Sequence, residues 1–247
     1  MPGSMSLAPD EVHIWLLNSE QFEPAAIRRL RTLLSLPERQ RAAQFGHAGA
    51  RFEYRMARSL SREMLAKYAG VAPTKLHFTT DAFGKPLLDS PVTDPRLHFN
   101  ISHSHGLIAC AVASGRQVGI DIEDRSRVVE YLALAERYFA PAEVAHLRTL
   151  SGADLQAAFF AIWTLKEAFV KAIGMGLRFP LDTFWFELDR DRLVRFHPPP
   201  NVAGSWQCVQ FDAGERHCGA LAVEDDRSEV RVVVRDWSES SVDMNGE

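Results

Sequence analysis

The sequence is poor in cysteine and has no long hydrophobic run. Its 247 residues include only Cys110, Cys208 and Cys218. They are far apart and form no C-x-x-C pair, which excludes a zinc knuckle and a disulfide framework. Cys110 lies in an apolar stretch and reads as a core thiol. A reduced, cytoplasmic protein is therefore expected. No apolar stretch approaches the roughly 18 residues that span a bilayer, and no secretory leader pattern opens the chain, so no membrane association is expected. An excess of positive charge is also missing. Lys and Arg number 28 against 32 Asp and Glu, a net charge of −4, which gives no reason to expect a nucleic-acid partner. Met1–Met5 reads as an added leader followed by the natural start. The remainder, 46% apolar and 24% charged, has the mix of an ordinary globular protein.

Two stretches stand out. In Val118-Gly119-Ile120-Asp121-Ile122-Glu123 apolar and polar residues alternate, the period of a half-buried strand. Ile120 and Ile122 share one face, Asp121 and Glu123 the other. Residues two apart on a strand are about 6.5 Å apart, where two like charges repel by about 2.5 kcal/mol at an effective dielectric of 20. Either the two acids are solvated, or a cation removes the repulsion, and oxygen ligands of this kind suit magnesium completed by water and phosphate.

The second stretch is Trp163-Thr164-Leu165-Lys166-Glu167-Ala168-Phe169-Val170-Lys171. Trp163, Glu167 and Lys171 recur every fourth residue and share one helix face. Phe159, Phe160, Ile162, Phe169 and Val170 make much of the remaining circumference apolar. A surface ion pair of this spacing contributes only about 0.3–0.5 kcal/mol. A helix this apolar is too buried for that to be its purpose, so functional roles for Glu167 and Lys171 gain weight.

The rest of the chain divides at the Ser114-Gly115-Arg116-Gln117 turn. Residues 6–115 are expected to form one lobe, 116–237 a second carrying the acidic strand, and 238–247 a disordered tail. Each lobe combines strands with a helix-rich stretch. The fold class is therefore α+β, with two similar, pseudo-duplicated lobes, each a small mostly antiparallel sheet packed with helices. In the first lobe, helices are expected over 22–36, 38–45 and 50–68, with Leu36-Pro37 as a break. Arg51, Arg55, Arg58 and Arg62 fall along one stripe of the third helix. That stripe is either a solvated basic face or a row of guanidiniums for a phosphate-rich ligand. Lys85 sits on a turn shaped by Gly84 and Pro86, either solvated or facing an anion. His103 and His105 follow the 97–101 strand on a loop. They lack a third ligand nearby for zinc, and contact with a phosphate is the better functional alternative.

Phe99-Asn100-Ile101-Ser102-His103-Ser104, the Val118–Glu123 strand and the Trp163–Lys171 helix resemble, in that order, three signature motifs of the 4′-phosphopantetheinyl transferases. Phe83-Gly84-Lys85-Pro86 is similar to a loop of the same family. The separations suit the larger, surfactin-synthetase-type branch, with both lobes on one chain. The resemblance spans roughly residues 37–190. It implies that coenzyme A donates its phosphopantetheine arm to a serine of an apo acyl or peptidyl carrier protein, releasing adenosine 3′,5′-bisphosphate. By motif position, Asp121, Glu123 and Glu167 would hold Mg²⁺, with Asp121, Glu167 and Lys171 the catalytic set. Glu167 is the candidate base, directly or through a water. Lys171 and Lys166 would meet the phosphates. Lys85, Pro86, Ser102 and His103 would cradle coenzyme A, joined by Arg51 and Arg58. A monomer would suffice. The segment Arg125–Leu150 is the expected carrier-binding surface. A phosphohydrolase cleaving a coenzyme A-like pyrophosphate, or a non-catalytic coenzyme A-binding module, would use some of the same residues.

Overall fold

The computed structural model describes residues 5–224 and 230–237. The leader assigned to Met1–Met5 falls, except for Met5, outside the described residues, as does the tail assigned to 238–247. The chain divides into two units, one of residues 1–115 with 231–247 and one of residues 116–230.

In the first unit, strand β1 (Glu11–Asn18) leads to helices α1 (Pro24–Thr32), α2 (Leu36–Ala43) and α3 (Ala48–Ala69). Strands β2 (His77–Thr80), β3 (Pro86–Ser90), β4 (Leu97–Ser104) and β5 (Leu107–Ser114) follow. The second unit repeats this order. Strand β6 (Val118–Asp124) leads to helices α4 (Tyr131–Tyr138), α5 (Pro141–Arg148) and α6 (Gly152–Ala172). Strands β7 (Trp185–Asp189), β8 (Arg192–His197), β9 (Trp206–Asp212) and β10 (His217–Glu224) complete it. The sheet orders also correspond: β1-β5-β4 in one unit, β6-β10-β9 in the other, each with a two-stranded hairpin beside it (β2-β3 and β7-β8). The expected pseudo-duplicated α+β architecture is present. The lobe boundary differs at one point, because β11 (Arg231–Asp236) pairs in parallel with β1 and so lies in the first unit rather than the second.

Local chemistry explains where other elements depart from expectation. Pro37 does not break a helix; it stands at the start of α2. Ser35 precedes α2, and Glu38 reaches back to the Ser35 N–H at 2.8 Å and its hydroxyl at 2.9 Å, a capping arrangement that starts the helix. The turn ends at Lys85, and Pro86 already belongs to strand β3. Strand β4 runs on through Ser104, so Ser102 and His103 are strand residues, and the turn falls at His105-Gly106 with both φ positive.

In the second unit β6 is buried nearly throughout, because α6 crosses the face bearing Gly119, Asp121 and Glu123. Facing partners on β10 are also small: Ala222 opposite Gly119 and Ala220 opposite Asp121. A Cβ on Gly119 would stand 2.1 Å from the Ala168 carbonyl oxygen and 2.3 Å from the Ala172 nitrogen. Only glycine permits this backbone-to-backbone approach. Leu165, Ala168, Phe169 and Ala172 then fill the core with Phe184 and Ala220.

Candidate active site

The Gly119 contact fixes α6 against β6, and the polar groups of the site follow from it. Two residues beyond Gly119 on the same strand face, Asp121 is 5% exposed. The Lys171 ammonium donates to its Oδ1 at 2.6 Å and to the Ile120 carbonyl oxygen at 3.3 Å. Glu167 lies one turn earlier on α6. Burial first, then the Asp121 carboxylate and to a lesser degree Glu123, push its pKa up to about 7, with Lys171 acting in the opposite direction. Its Oε1 is buried and has no hydrogen-bond partner among the described residues. Glu123 accepts from Arg127 at 2.9 Å. Among the described residues, no group of three or more His, Cys, Asp or Glu side chains is arranged to hold a metal ion. Asp121 and Glu123 instead each face a cationic side chain of the protein.

Lys166 must be removed from the phosphate-binding set. Its side chain has no exposed surface. It donates to the Leu181 carbonyl at 2.7 Å and the Phe184 carbonyl at 2.8 Å, and lies 2.8 Å from Glu143 Oε2. The ammonium also rests over the Phe184 ring. One residue along a helix is a turn of about 100°, so Lys166 and Glu167 point to different environments. Trp163 joins an aromatic cluster with Phe139, Tyr138 and Phe159.

Two acids that the pattern left unassigned are buried on neighbouring elements, Asp124 at the end of β6 and Glu143 on α5. Asp124 is fully buried and receives Arg216 at 2.9 Å and the Ser126 N–H at 2.8 Å. Burial works against ionisation, but these partners hold its carboxyl well below the usual carboxylate range. The sequence signal was the acidic run Asp121-Ile122-Glu123-Asp124, whose last member lies on the opposite strand face. Glu143, the anchor of Lys166, is buried at the first turn of α5. Its only sequence mark was its position three residues after Ala140, whose N–H it accepts at 2.9 Å.

Within the first unit, the arginine stripe turns inward. Arg58 and Arg62 both bind Glu38, at 3.0 and 2.7 Å, with side chains 12% and 3% exposed, and both lie over the Phe78 ring. Arg58 is therefore committed to a buried ion pair, and neither a solvated face nor a phosphate contact describes it. Arg51 donates to the Phe45 carbonyl, and its buried Nε has no partner among the described residues. Lys85 follows a turn tied by Asp81, whose carboxylate accepts from the Phe83 and Lys85 N–H groups at 2.8 and 2.9 Å. Pro86 opens β3. Burial lowers the Lys85 pKa to about 8, against the pull of Asp81. On β4, Ser102 is buried and His103 Nδ1 lies 3.5 Å from Glu53 Oε2 of α3.

Comparison with known proteins adds family evidence. The profile described as the 4′-phosphopantetheinyl transferase superfamily matches residues 117–222. The profile described as 4′-phosphopantetheinyl transferase, N-terminal, matches residues 20–115. The chain is 38% identical over 176 residues to 4′-phosphopantetheinyl transferase HetI of Nostoc sp., covering 71% of this chain and 74% of that protein. It is 30% identical over 206 residues to 4′-phosphopantetheinyl transferase Sfp of Bacillus subtilis, covering 83% of this chain and 89% of that one. Among solved structures, a holo-(acyl-carrier-protein) synthase from Bacillus anthracis in complex with CoA (3′,5′-ADP) aligns with a TM-score of 0.35 and 21% identity, over 44% of this chain and 94% of that chain. No described helix is long and apolar enough to cross a membrane.

Proposed function

Because the chain belongs to the 4′-phosphopantetheinyl transferase superfamily, we propose that it moves the phosphopantetheine arm of coenzyme A to a serine of an apo carrier protein. Adenosine 3′,5′-bisphosphate is the other product. The observation that carries this reading at the level of chemistry is the cluster of Asp121, Glu167 and Lys171 on the α6–β6 face.

The serine oxygen forms a bond to the pyrophosphate phosphorus that bears the pantetheine arm, and the bond from that phosphorus to the bridging oxygen breaks. The hydroxyl proton must leave as this happens. A carboxyl group with a pKa of about 7 is suited to receive it near neutral pH. Lys171 supplies a positive charge for the phosphate oxygens; in the free protein Asp121 holds that ammonium.

The chemistry of the acidic residues fits magnesium. Glu167 Oε1 is buried without a partner, and the charge crowding that raises its pKa is relieved by a hard cation that prefers oxygen ligands. Asp121, Glu123 and Glu167 would hold the ion, which when bound would offset charge on the pyrophosphate oxygens. Such a role opposes that of base, since a carboxylate beside a cation is harder to protonate.

Arg51, Lys85, Pro86, Ser102 and His103 are the coenzyme A contacts in this reading, on the strength of their motif positions. The carrier protein is assigned to the Arg125–Leu150 segment, where Val128 is 88% exposed. A cytoplasmic monomer completes the proposal. The test is mass spectrometry of apo acyl and peptidyl carrier proteins incubated with the protein, coenzyme A and magnesium. A gain of one phosphopantetheine that disappears in Asp121→Ala is expected. Rapid coenzyme A cleavage with no carrier present would replace the reading with a phosphohydrolase. Tight magnesium-independent coenzyme A binding with no transfer would replace it with a binding module.

A further inference from the structure

Lys171 is placed by both of its neighbours on rigid elements. Its ammonium meets Asp121 at 2.6 Å and the Ile120 carbonyl at 3.3 Å, where α6 is held to β6 by the close approach at Gly119. Glu167, a second of the three carboxylates assigned to magnesium, lies one turn before Lys171 on the same face of α6. Glu123, the third, is paired with Arg127. The described carboxylates correspondingly form no ready-made metal site. The protein's own cations are doing part of the neutralisation that a divalent ion would do.

We propose that Lys171 is a built-in substitute for the divalent cation, which it releases Asp121 to only when a diphosphate is present to receive the ammonium. This rests on the transferase reading and adds an order of assembly to it. A divalent ion beside Asp121 and an ammonium on the same carboxylate repel each other. Moving the ammonium away, on a side chain only 27% exposed, with no anion to meet it would leave a partly desolvated charge without compensation. The diphosphate supplies that anion, so cation and coenzyme A bind cooperatively. By linkage, the factor by which one tightens the other is reciprocal. The free protein stays poorly loaded with metal, which keeps the carboxylates from being occupied before the substrate is.

Calorimetric titration of magnesium chloride at one fixed pH tests this, with and without coenzyme A and with the coenzyme A–magnesium blank subtracted. In the wild-type protein coenzyme A is expected to tighten magnesium binding by about tenfold or more. Lys171→Met should bind magnesium about tenfold more tightly than wild type in the absence of coenzyme A, with the coenzyme A dependence reduced to the part that the diphosphate's own attraction for the ion supplies. Lys171→Arg, which keeps the charge, should behave as wild type. Equal magnesium affinity in wild type and Lys171→Met would overturn the inference while leaving the magnesium assignment intact. If neither protein binds magnesium under any condition, the magnesium assignment itself falls, and this inference with it. Should Lys171→Met fail to fold, the two wild-type titrations decide, and a magnesium affinity indifferent to coenzyme A overturns the proposal.

Discussion

The Lys166 ammonium and the Glu143 carboxylate meet at 2.8 Å with no exposed side-chain surface on either. Glu143 also accepts from the Ala140 and Phe186 N–H groups, so one acid ties α5 to α6 and to β7. Burial pushes Glu143 up and Lys166 down in pKa, while the attraction between them acts against both shifts. Removing one partner leaves an uncompensated charge. Glu143→Ala is therefore expected to cost about 3–5 kcal/mol, read as a lower urea midpoint. The double replacement Glu143→Leu with Lys166→Met should recover much of that loss, and a loss in the double variant equal to the sum of the single ones would contradict the pairing.

Gly119 carries a second prediction. Any β-carbon there collides with backbone atoms of α6, and backbone cannot swing aside as a side chain does. Gly119→Ala should destabilise by about 1–3 kcal/mol through overpacking. A shift of α6 by about 1 Å relative to Asp121 should lower transfer by on the order of 100-fold. Thermal melting and carrier-loading rates measure the two effects. Wild-type loading by a folded Gly119→Ala would show that the close approach does not set the site.

The raised pKa of Glu167 makes stability pH-dependent with a definite sign. In the folded state the group titrates at about 7 against an ordinary value of 4.5. Between those values the folded chain keeps a proton that the unfolded chain has lost, so this contribution is present at low pH and disappears as pH rises through about 7. Linkage puts it at roughly 3 kcal/mol before solvent screening. Melting curves across this window should show the decline, and Glu167→Gln should flatten it. If Glu167 takes the serine proton, loading rates should rise over the same pH range.

Much of this was legible in the residues, and the failures are instructive. Alternation over 118–123 and the apolar helix ending near Lys171 gave the two elements that hold the cluster, because their periods differ and each is strongly buried. The repeated order of elements was legible too, whereas strand β3 and the pairing of the β2-β3 and β7-β8 hairpins lay beyond local pattern. The roles of Lys166 and Arg58 were misread for one reason. A cation in a motif looks the same on paper whether it faces a ligand or a buried acid, and Glu143 and Glu38 lie 23 and 20 residues away. Tertiary pairing, not composition, decided their fate.

Glu38 offers the matching test in the first unit. It accepts from Arg58 and Arg62 and caps α2. Burial opposes its ionisation, but the two guanidiniums hold its pKa below the ordinary value. Glu38→Gln should leave two guanidiniums short of their counter-charge and destabilise the chain by about 3–5 kcal/mol, measured by chemical denaturation. A change within about 0.5 kcal/mol would place the pair among those with little net worth.

The parallel pairing of β11 with β1 has a consequence for synthesis. On the ribosome, all of residues 116–230 emerge before the strand that flanks β1 does. The inserted half can therefore complete its sheet first, while the nascent chain's opening strand waits with one edge uncovered. The unit that translation begins first is thus the one it completes last.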